Sequence, residues 1–344
     1  METFWKVAER YYWPKLRADV TKYVRACSVC AQSKTEQKRP AGLMGNRPDV
    51  KEPWQAISLD YIGPLPRSRH GNTHVLVITD YFSKYVLLYP CRSATAKSLV
   101  RHLENDVFLV YGAPQFLTCD NGSQMRSKEF QSLCAKFKVQ IFYTASYYPR
   151  ADHTERVNRV LKTMLRSYVQ QNNHRTWEDS LSAIGCAIRT SKHETIGYTP
   201  YFVNFGREHR LFGQDFSERL PSAETECQNY NKERIEAFQL LYQKIHNTIK
   251  ISHLRNAHNY NLRRRPLNFM PGQQVWRKNK SLSNAVNFYS AKLAPEFVGP
   301  FTIKKKTGTC TYELVDATGH PKGVWHVQDL KPVYTDPGPD NPSH

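Results

Sequence analysis

The feature that most limits the fold of this chain is a region from Trp54 to about Gly206 in which strand-like and helix-like segments alternate. The strand-like segments are rich in Val, Ile, Leu, Tyr and Phe, and they read QAISLDYI, THVLVITDYF, KYVLLYP and QFLTCD. Turn signals separate the first three, which predicts an antiparallel meander. Four helix-like segments follow or intervene: ATAKSLVRHLENDVFLVYG, SKEFQSLCAKFKV, about 154–171, and TWEDSLSAIGCAIRTSKH. Together they predict an α/β domain with a mixed sheet.

The flanking regions have different patterns. The first 45 residues look helical and basic, and the Pro- and Gly-bearing linker at 37–53 is not expected to be regular. Residues 216–230 are polar and are interpreted as a connector. An amphipathic helix is then predicted to end by the RRRP run at 263–266, because apolar residues recur at spacings of three and four; they are Ile235, Phe238, Tyr242, Ile245 and Ile249.

Short strand-like pieces alternate with turns from Gly272 to Tyr334, which is typical of a small β-barrel. Its aromatic side chains, Trp276, Phe297, Phe301 and Trp325, are expected in its core. The predicted order of domains is therefore a small helical piece, an α/β core, a linker with a basic helix, a β-barrel and a tail. Their predicted bounds are 1–45, 46–215, 216–266, 267–335 and 336–344.

The charge balance favours a polyanionic partner. The chain has 49 Lys and Arg against 30 Asp and Glu, a net charge of +19, which favours nucleic acid ahead of a membrane surface. No apolar stretch is long enough to span a bilayer, and the N-terminal residues have no signal-peptide core. Because the eight cysteines are mostly scattered, we expect a protein of a reducing, intracellular compartment.

Three acidic residues stand at positions suited to metal binding. Asp60 and Asp120 each end an apolar run just before a break, and Glu155 lies near the start of a predicted long helix. Three such carboxylates can supply the hard oxygen ligands of two divalent ions, which support phosphoryl transfer. For Asp120 alone, turn chemistry beside Asn121 and Gly122 is an equally good explanation.

Three cations share a helix face with Glu155. Arg159, Lys162 and Arg166 follow it at offsets of four, seven and eleven, which places all four on one side of an α-helix. This stripe would suit the phosphates of a nucleic acid beside a bound metal. An ordinary solvated helix face is the alternative, and the pattern taken alone favours that alternative.

The order of these motifs resembles the integrases of gypsy-type LTR retrotransposons, relatives of retroviral integrases within the ribonuclease H-like superfamily. The resemblance covers almost the whole chain and rests on LDYIGPLP, VITDYFSKYV, YGAPQFLTCDNGSQ, SKEFQSLCAKF, YYPRADHTERVNRVLKTML and NFGRE, with flanking matches at YYWPKLRADVTKYVRACSVCAQSK, KLAPEFVGPFTIKKK and VWHVQDLKPV. It implies a catalytic and metal-binding triad of Asp60, Asp120 and Glu155, and a small SH3- or chromo-like barrel at the C-terminal end.

The chain departs from the family pattern beside the third acid. Asp120 and Glu155 are 35 positions apart, one fewer than usual, and the shortfall lies in ADHTE. The family's Tyr-His-Pro is Tyr147-Tyr148-Pro149 here. Both changes fall in a loop expected beside the site, where they would alter loop movement or strand joining without removing a metal ligand.

The resemblance implies a polynucleotidyl transferase that uses two Mg²⁺ or Mn²⁺ ions to trim DNA 3′ ends and join them to target DNA. It also implies element-end and target DNA as partners, a homo-oligomer, and the nucleus as the place of action after synthesis in the cytoplasm. The alternative is a catalytically inactive, integrase-derived DNA-binding or chromatin-associated protein. A hydrolytic nuclease, which cleaves and never joins, is a third possibility.

Two cysteines match half of the family's His-His-Cys-Cys zinc module. Cys27 and Cys30 supply two thiolates, but the first histidine of the chain is His70. Tetrahedral zinc takes four ligands, so we expect an incomplete half-site in a truncated zinc-binding-like domain and no stable zinc.

Asp80 and Asp152 are assigned to structure. Asp80 ends a strand-like run and suits the turn of a hairpin. Asp152 precedes the long helix and suits an N-terminal cap.

The excess of positive charge is concentrated towards the C-terminal end. Residues 231–306 hold fifteen Lys and Arg and three acids. Within them, two runs are predicted to contact DNA phosphates without regard to sequence: Arg263, Arg264 and Arg265, and Lys304, Lys305 and Lys306. Either run also resembles a nuclear-import signal, a weak pattern.

Overall fold

The computed structural model describes residues 2–34, 38–44, 48–143, 154–168, 174–210, 227–281, 283 and 290–334. They form two compact units, one of residues 46–258 and one that joins residues 1–45 to residues 259–344. Within these ranges, no helix combines the length and the apolar composition needed to cross a membrane.

The larger unit is built on a five-stranded mixed sheet. Its strand order is β3-β2-β1-β4-β5. The first three strands in sequence pair antiparallel, whereas β4 runs parallel to β1 and β5 runs parallel to β4. The strands are β1 (Ala56–Ile62), β2 (His74–Asp80), β3 (Val86–Cys91), β4 (Phe116–Cys119) and β5 (Gln140–Tyr143). The predicted α/β class and its antiparallel meander are confirmed.

Side chains that alternate along the strands pack into two cores, one on each face of the sheet. Ile57 and Leu59 of β1 belong to one buried core, and Ile62 belongs to another on the opposite face. The first core packs under a helix made of α4 (Ala96–His102), a π-helical turn (Leu103–Phe108) and α5 (Leu109–Tyr111), together with α6 (Lys128–Lys136). The second packs under α7 (Thr154–Tyr168) and α8 (Leu181–Thr190).

Two more helices cover one end of this sheet. They are α9 (Pro200–Phe205) and α10 (Cys227–Asn261). Ile245 of α10 is fully buried in a core with Phe82 and Val203, as its apolar spacing predicts. The prediction of a connector over 216–230 is wrong for residues 227–230, which are already helical. Their polar composition removed the periodic signal without preventing helix formation.

The smaller unit combines three short helices with a second sheet. The helices are α1 (Glu2–Ala8), α2 (Leu16–Ala26) and α3 (Ser28–Ser33). The sheet is antiparallel in the order β10-β6-β7-β8-β9 and lies where the barrel is predicted. Its strands are β6 (Gln274–Lys278), β7 (Phe297–Lys306), β8 (Thr311–Val315), β9 (Pro321–His326) and β10 (Leu330–Pro332). Trp276, Phe297 and Trp325 are buried, as predicted.

Residues 39–44, from the predicted linker, pack into this second sheet. Ala41 forms a parallel bridge with Arg265 and is buried in the core that contains Tyr312. Gly42 donates its N–H to the Arg265 carbonyl at 3.0 Å and has a φ of +100°. A Cβ on Gly42 would lie 2.7 Å from Cγ1 of Val327. The segment has little regular structure, as predicted, but it is part of a core and not a free linker.

Candidate active site

Asp60 lies near the C-terminal end of β1, opposite Val77 of β2. Its neighbour Leu59 is fully buried beneath the α4–α6 layer. Because successive strand side chains point to opposite faces, Asp60 faces the α7 layer, as Ile62 does. The residue is half-buried.

Asp120 is the first residue after β4. Strands β1 and β4 are parallel neighbours in which Ser58 pairs with Thr118. Two residues beyond that pair lie Asp60 on one chain segment and Asp120 on the other. Since paired strands are about 4.8 Å apart, the sheet brings the two acids to the same point on its edge. Asp120 is exposed, and its Oδ1 accepts the Gly122 N–H at 2.9 Å.

Glu155 lies in the first turn of α7, and the side chains of that helix are described from Val157 onward. Asn158, three residues later and therefore on a neighbouring position of the same helix face, donates a hydrogen bond from Nδ2 to Oδ2 of Asp60. The backbone thus brings the start of α7 to the acidic pair.

Asn158 was not singled out from the sequence. It is buried, and its Oδ1 has no hydrogen-bond partner among the described residues. Only its offset of three from Glu155 could have drawn attention to it. A buried amide that contacts one acid and retains an unsatisfied oxygen marks this edge as a polar site.

The groups at this edge are suited to hard divalent cations. Asp60, Asp120 and Glu155 would offer carboxylate oxygens, which Mg²⁺ and Mn²⁺ prefer. Among the described side chains there is no cluster of three or more potential metal ligands, and the Glu155 side chain is not among them. The donor chemistry fits, and the triad stays a prediction.

The departures from the family pattern fall outside the described residues. These are Tyr147, Tyr148, Pro149 and His153. Asp152, predicted to be a cap, lies outside them too.

The predicted cationic stripe is on the surface of α7. Arg159, Lys162 and Arg166 are all exposed. The same helix buries Leu161 and Leu165 in the core beneath it. Solvent exposure leaves this face accessible to an anionic ligand beside the acidic pair.

Asp80 is a structural residue. It is fully buried, and its carboxylate accepts the N–H groups of Trp54 at 2.9 Å and Ser83 at 2.7 Å. Burial raises the pKa of Asp80. These contacts close the turn between β2 and β3, which agrees with the interpretation from sequence.

The two C-terminal cationic runs lie in the smaller unit and are partly engaged. Lys304 and Lys305 contact Glu313 at 3.1 and 3.6 Å. Lys306 donates to Asn268 at 3.2 Å and Arg264 donates to Gln328, while Arg263 is exposed. The DNA contacts of both runs stay predictions.

Cys27 and Cys30 lie together where α2 meets α3. Hydrogen bonds from the backbone and side chain of Cys30 lower the pKa of the Cys27 thiol. With no histidine before His70, the 1–36 segment offers two of the four ligands that structural zinc takes. These residues by themselves do not fit a closed zinc site.

Comparison with known families agrees with the motifs. The family model described as "Integrase core domain" matches residues 50–149, and the model "Integrase zinc binding domain" matches residues 1–36. The chain is 28% identical over 331 residues to the Transposon Tf2-3 and Tf2-4 polyproteins of Schizosaccharomyces pombe. These matches cover 94% of the chain and 24% of each relative, so the chain spans about a quarter of their length.

A solved structure shares the fold. It is the cryo-EM structure of a simian T-cell lymphotropic virus intasome in complex with the PP2A regulatory subunit B56 gamma, with 14% sequence identity and a TM-score of 0.53. The match covers 92% of this chain and 90% of that one. The two matched domains and these relatives confirm the resemblance of the chain to the integrases of LTR retrotransposons.

Proposed function

We propose that this integrase-family chain is a catalytically active DNA 3′-end-processing and strand-transfer enzyme. The observation that carries the proposal is the alignment of Asp60 and Asp120 on parallel neighbours β1 and β4, with Asn158 of α7 bonded to Asp60. That arrangement favours a shared phosphodiester site at the sheet edge. Water would attack a phosphodiester near a DNA 3′ end, which would release the terminal nucleotides with a 5′-phosphate and leave a 3′-OH. That 3′-OH would then attack a phosphodiester of target DNA and displace a 3′-OH of the target strand, without a covalent enzyme intermediate.

The acidic and the cationic side chains would have different roles in the reaction. Asp60, Asp120 and Glu155 would hold two Mg²⁺ or Mn²⁺ ions, which when bound supply activation of the attacking oxygen and stabilisation of the leaving one. Asn158 would fix the orientation of the Asp60 carboxylate. Arg159, Lys162 and Arg166 would hold the flanking phosphates, since charge-assisted contacts to phosphate are strong and do not depend on the base sequence.

Element ends and target DNA are the proposed partners, with a homo-oligomer as the working form and the nucleus as its location. The net charge of +19 supports the choice of DNA.

The direct test incubates the purified chain with Mn²⁺ and a labelled DNA duplex that carries an element end. We expect trimming and joining by the unaltered chain and about a thousandfold loss of both in Asp120→Asn, because the substitution removes one of the carboxylates that would hold the metal ions. DNA binding should persist in that variant. Tight binding without cleavage by the unaltered chain would instead support the inactive DNA-binding alternative, and cleavage without joining would support a hydrolytic nuclease.

A further inference from the structure

A cavity of about 440 Å³ lies beside the acidic pair, between the end of β1 and helix α7. Its floor is apolar and is formed by Ile62, Leu65, Leu165 and Trp177. The indole N–H of Trp177 donates to the Pro66 carbonyl at 2.7 Å, which fixes the ring in the floor. We call this cavity the Trp177 pocket. Its size falls in the range of small-molecule binding sites.

Cations stand on the rim of the same pocket. Lys162 and Arg166, one turn apart on α7, line it together with His174. Both are exposed, and neither forms a hydrogen bond or an ion pair with any residue that the structure describes. An apolar floor under a pair of cations is complementary to a ligand with a flat apolar body and an attached anion.

The position of the pocket relative to the acids limits what this ligand can be. Ile62 is two residues beyond Asp60 on the same face of β1, a distance of about 7 Å along the strand. Lys162 and Arg166 follow Asn158 by one and two helical turns, or about 6 and 12 Å. A group in the pocket is therefore about one nucleotide away from a phosphate held at Asp60.

We propose that the Trp177 pocket binds the base of an unpaired nucleotide next to the reacting phosphate, with Lys162 and Arg166 on that nucleotide's phosphate. The inference rests on the proposed function and adds a site for one base outside the duplex. Proteins recognise unpaired bases by burying the base face against aromatic or apolar side chains, and this stacking raises the affinity for the nucleotide. A paired base cannot enter, because its faces are covered by its neighbours.

The test measures binding of the full chain, in EDTA, to two duplexes of equal length. One is blunt, and the other carries a two-nucleotide unpaired extension with 2-aminopurine as its first unpaired base. We expect at least fivefold tighter binding to the extended duplex and a change in 2-aminopurine fluorescence on binding. Leu65→Asp should lower affinity for the extended duplex at least fivefold more than affinity for the blunt one.

Leu109→Asp is the matched control, since Leu109 is an exposed leucine of α5 on the other helical layer. Equal affinity of the unaltered chain for the two duplexes overturns the proposal. So does an equal effect of the two substitutions, or a change in oligomer size in Leu65→Asp as its only effect, which would make the pocket a contact between copies.

Photocrosslinking keeps the proposal testable if Leu65→Asp does not fold. With 5-iodouracil as the unpaired base, crosslinks in the unaltered chain should map to peptides that contain Leu65 or Trp177, and crosslinks found only elsewhere contradict the pocket. Because both measurements omit divalent metal, they also work in Asp120→Asn. Base binding without strand transfer supports the pocket and rejects the enzymatic proposal. Strand transfer without base binding supports the enzymatic proposal and rejects the pocket.

Discussion

Asn158 of α7 forms a hydrogen bond to the carboxylate of Asp60. Its amide donates to the Asp60 carboxylate from a buried position, so it acts on the acid and not on the substrate. Partners that orient a metal ligand typically contribute 10–100-fold to metal affinity or activity. Asn158 is thus a positioning residue in the proposed enzyme.

We expect Asn158→Ala to lower strand transfer about 10–100-fold and to raise the Mn²⁺ concentration needed for half-maximal rate, because the Asp60 carboxylate loses its fixed orientation. Rates measured across a Mn²⁺ titration separate this effect from a general loss of folded protein. Thr163→Ala is the control on the same helix, since the Thr163 hydroxyl donates to the Arg159 carbonyl within α7. An unchanged Mn²⁺ requirement in Asn158→Ala would contradict the positioning role.

His326 makes the smaller unit sensitive to acid. Burial, and then the positive charges of Arg264 and Lys280, lower the pKa of His326 from its usual 6.5 to about 4. His326 therefore binds a proton below pH 6.5 in the unfolded chain, but only near pH 4 in the folded chain. The free energy of unfolding is therefore highest above pH 6.5. It decreases as the pH falls towards 4, by about 3 kcal/mol in total.

His326→Gln should remove this pH dependence. We expect the midpoint of urea unfolding of the smaller unit to fall between pH 7 and 5 in the unaltered chain, and to fall less in the variant. His320→Gln is the control, since His320 is exposed on the same unit. Hydrogen exchange of peptides from residues 297–334 reports this unit separately. Parallel pH curves for the unaltered chain and His326→Gln would reject the role of His326.

At the residue scale, the sequence predicted what depends on local pattern. Asp60 and Asp120 follow apolar runs that are strands, so their place at a sheet edge follows from strand alternation and parallel pairing. Asn158 and the Trp177 pocket depend on how α7 packs on β1, and no local pattern marks an asparagine or a leucine for such a contact.

The segment at residues 39–44 is the element whose role the sequence concealed. Pro and Gly made it look like a linker, yet Ala41 is buried with Tyr312 and Gly42 is in close contact with Val327. Its partners are more than 200 positions away in the chain, and contacts at that separation leave no periodic signal. The start of α10 at Cys227 escaped prediction for a related reason, since its polar residues have no apolar stripe.

Gly42→Ala tests whether this segment is needed in the second sheet. Gly319→Ala is the matched control, because Gly319 has a similar φ of +83° and nothing within 4 Å of its added Cβ. Both variants incur the strain of a positive φ, about 1 kcal/mol. In Gly42→Ala the added Cβ would also lie 2.7 Å from the Val327 side chain and 2.8 Å from the His326 side chain. Both side chains must move away from it, which destabilises the unit by a further 1–3 kcal/mol, roughly.

We therefore expect faster hydrogen exchange across residues 297–334 in Gly42→Ala than in Gly319→Ala. Exchange in β1 and β2 of the larger unit should be equal in the two variants. If the two variants exchange alike throughout the second sheet, the segment at 39–44 adds nothing to that core.

For the whole molecule, the net charge of +19 overstates the cations available to DNA. Lys304 and Lys305 share Glu313, and Lys280 lies 2.5 Å from Asp329. Each phosphate contact releases about one counterion, which sets how steeply affinity falls with salt. A carboxylate shared by two lysines offsets one of their two positive charges, and it therefore reduces both affinity and salt dependence if that surface contacts DNA.

Glu313→Gln should release both lysines at once. We expect tighter binding to a non-specific duplex at low salt and a log–log salt slope steeper by about one unit, measured by fluorescence anisotropy between 50 and 250 mM KCl. Glu129→Gln makes the same charge change in the first turn of α6, on the larger unit. Because both substitutions raise the net charge by one, an equal gain in the two variants would mean that the gain comes from net charge and not from contacts of Lys304 and Lys305 with DNA. A gain confined to Glu313→Gln would assign them direct phosphate contacts.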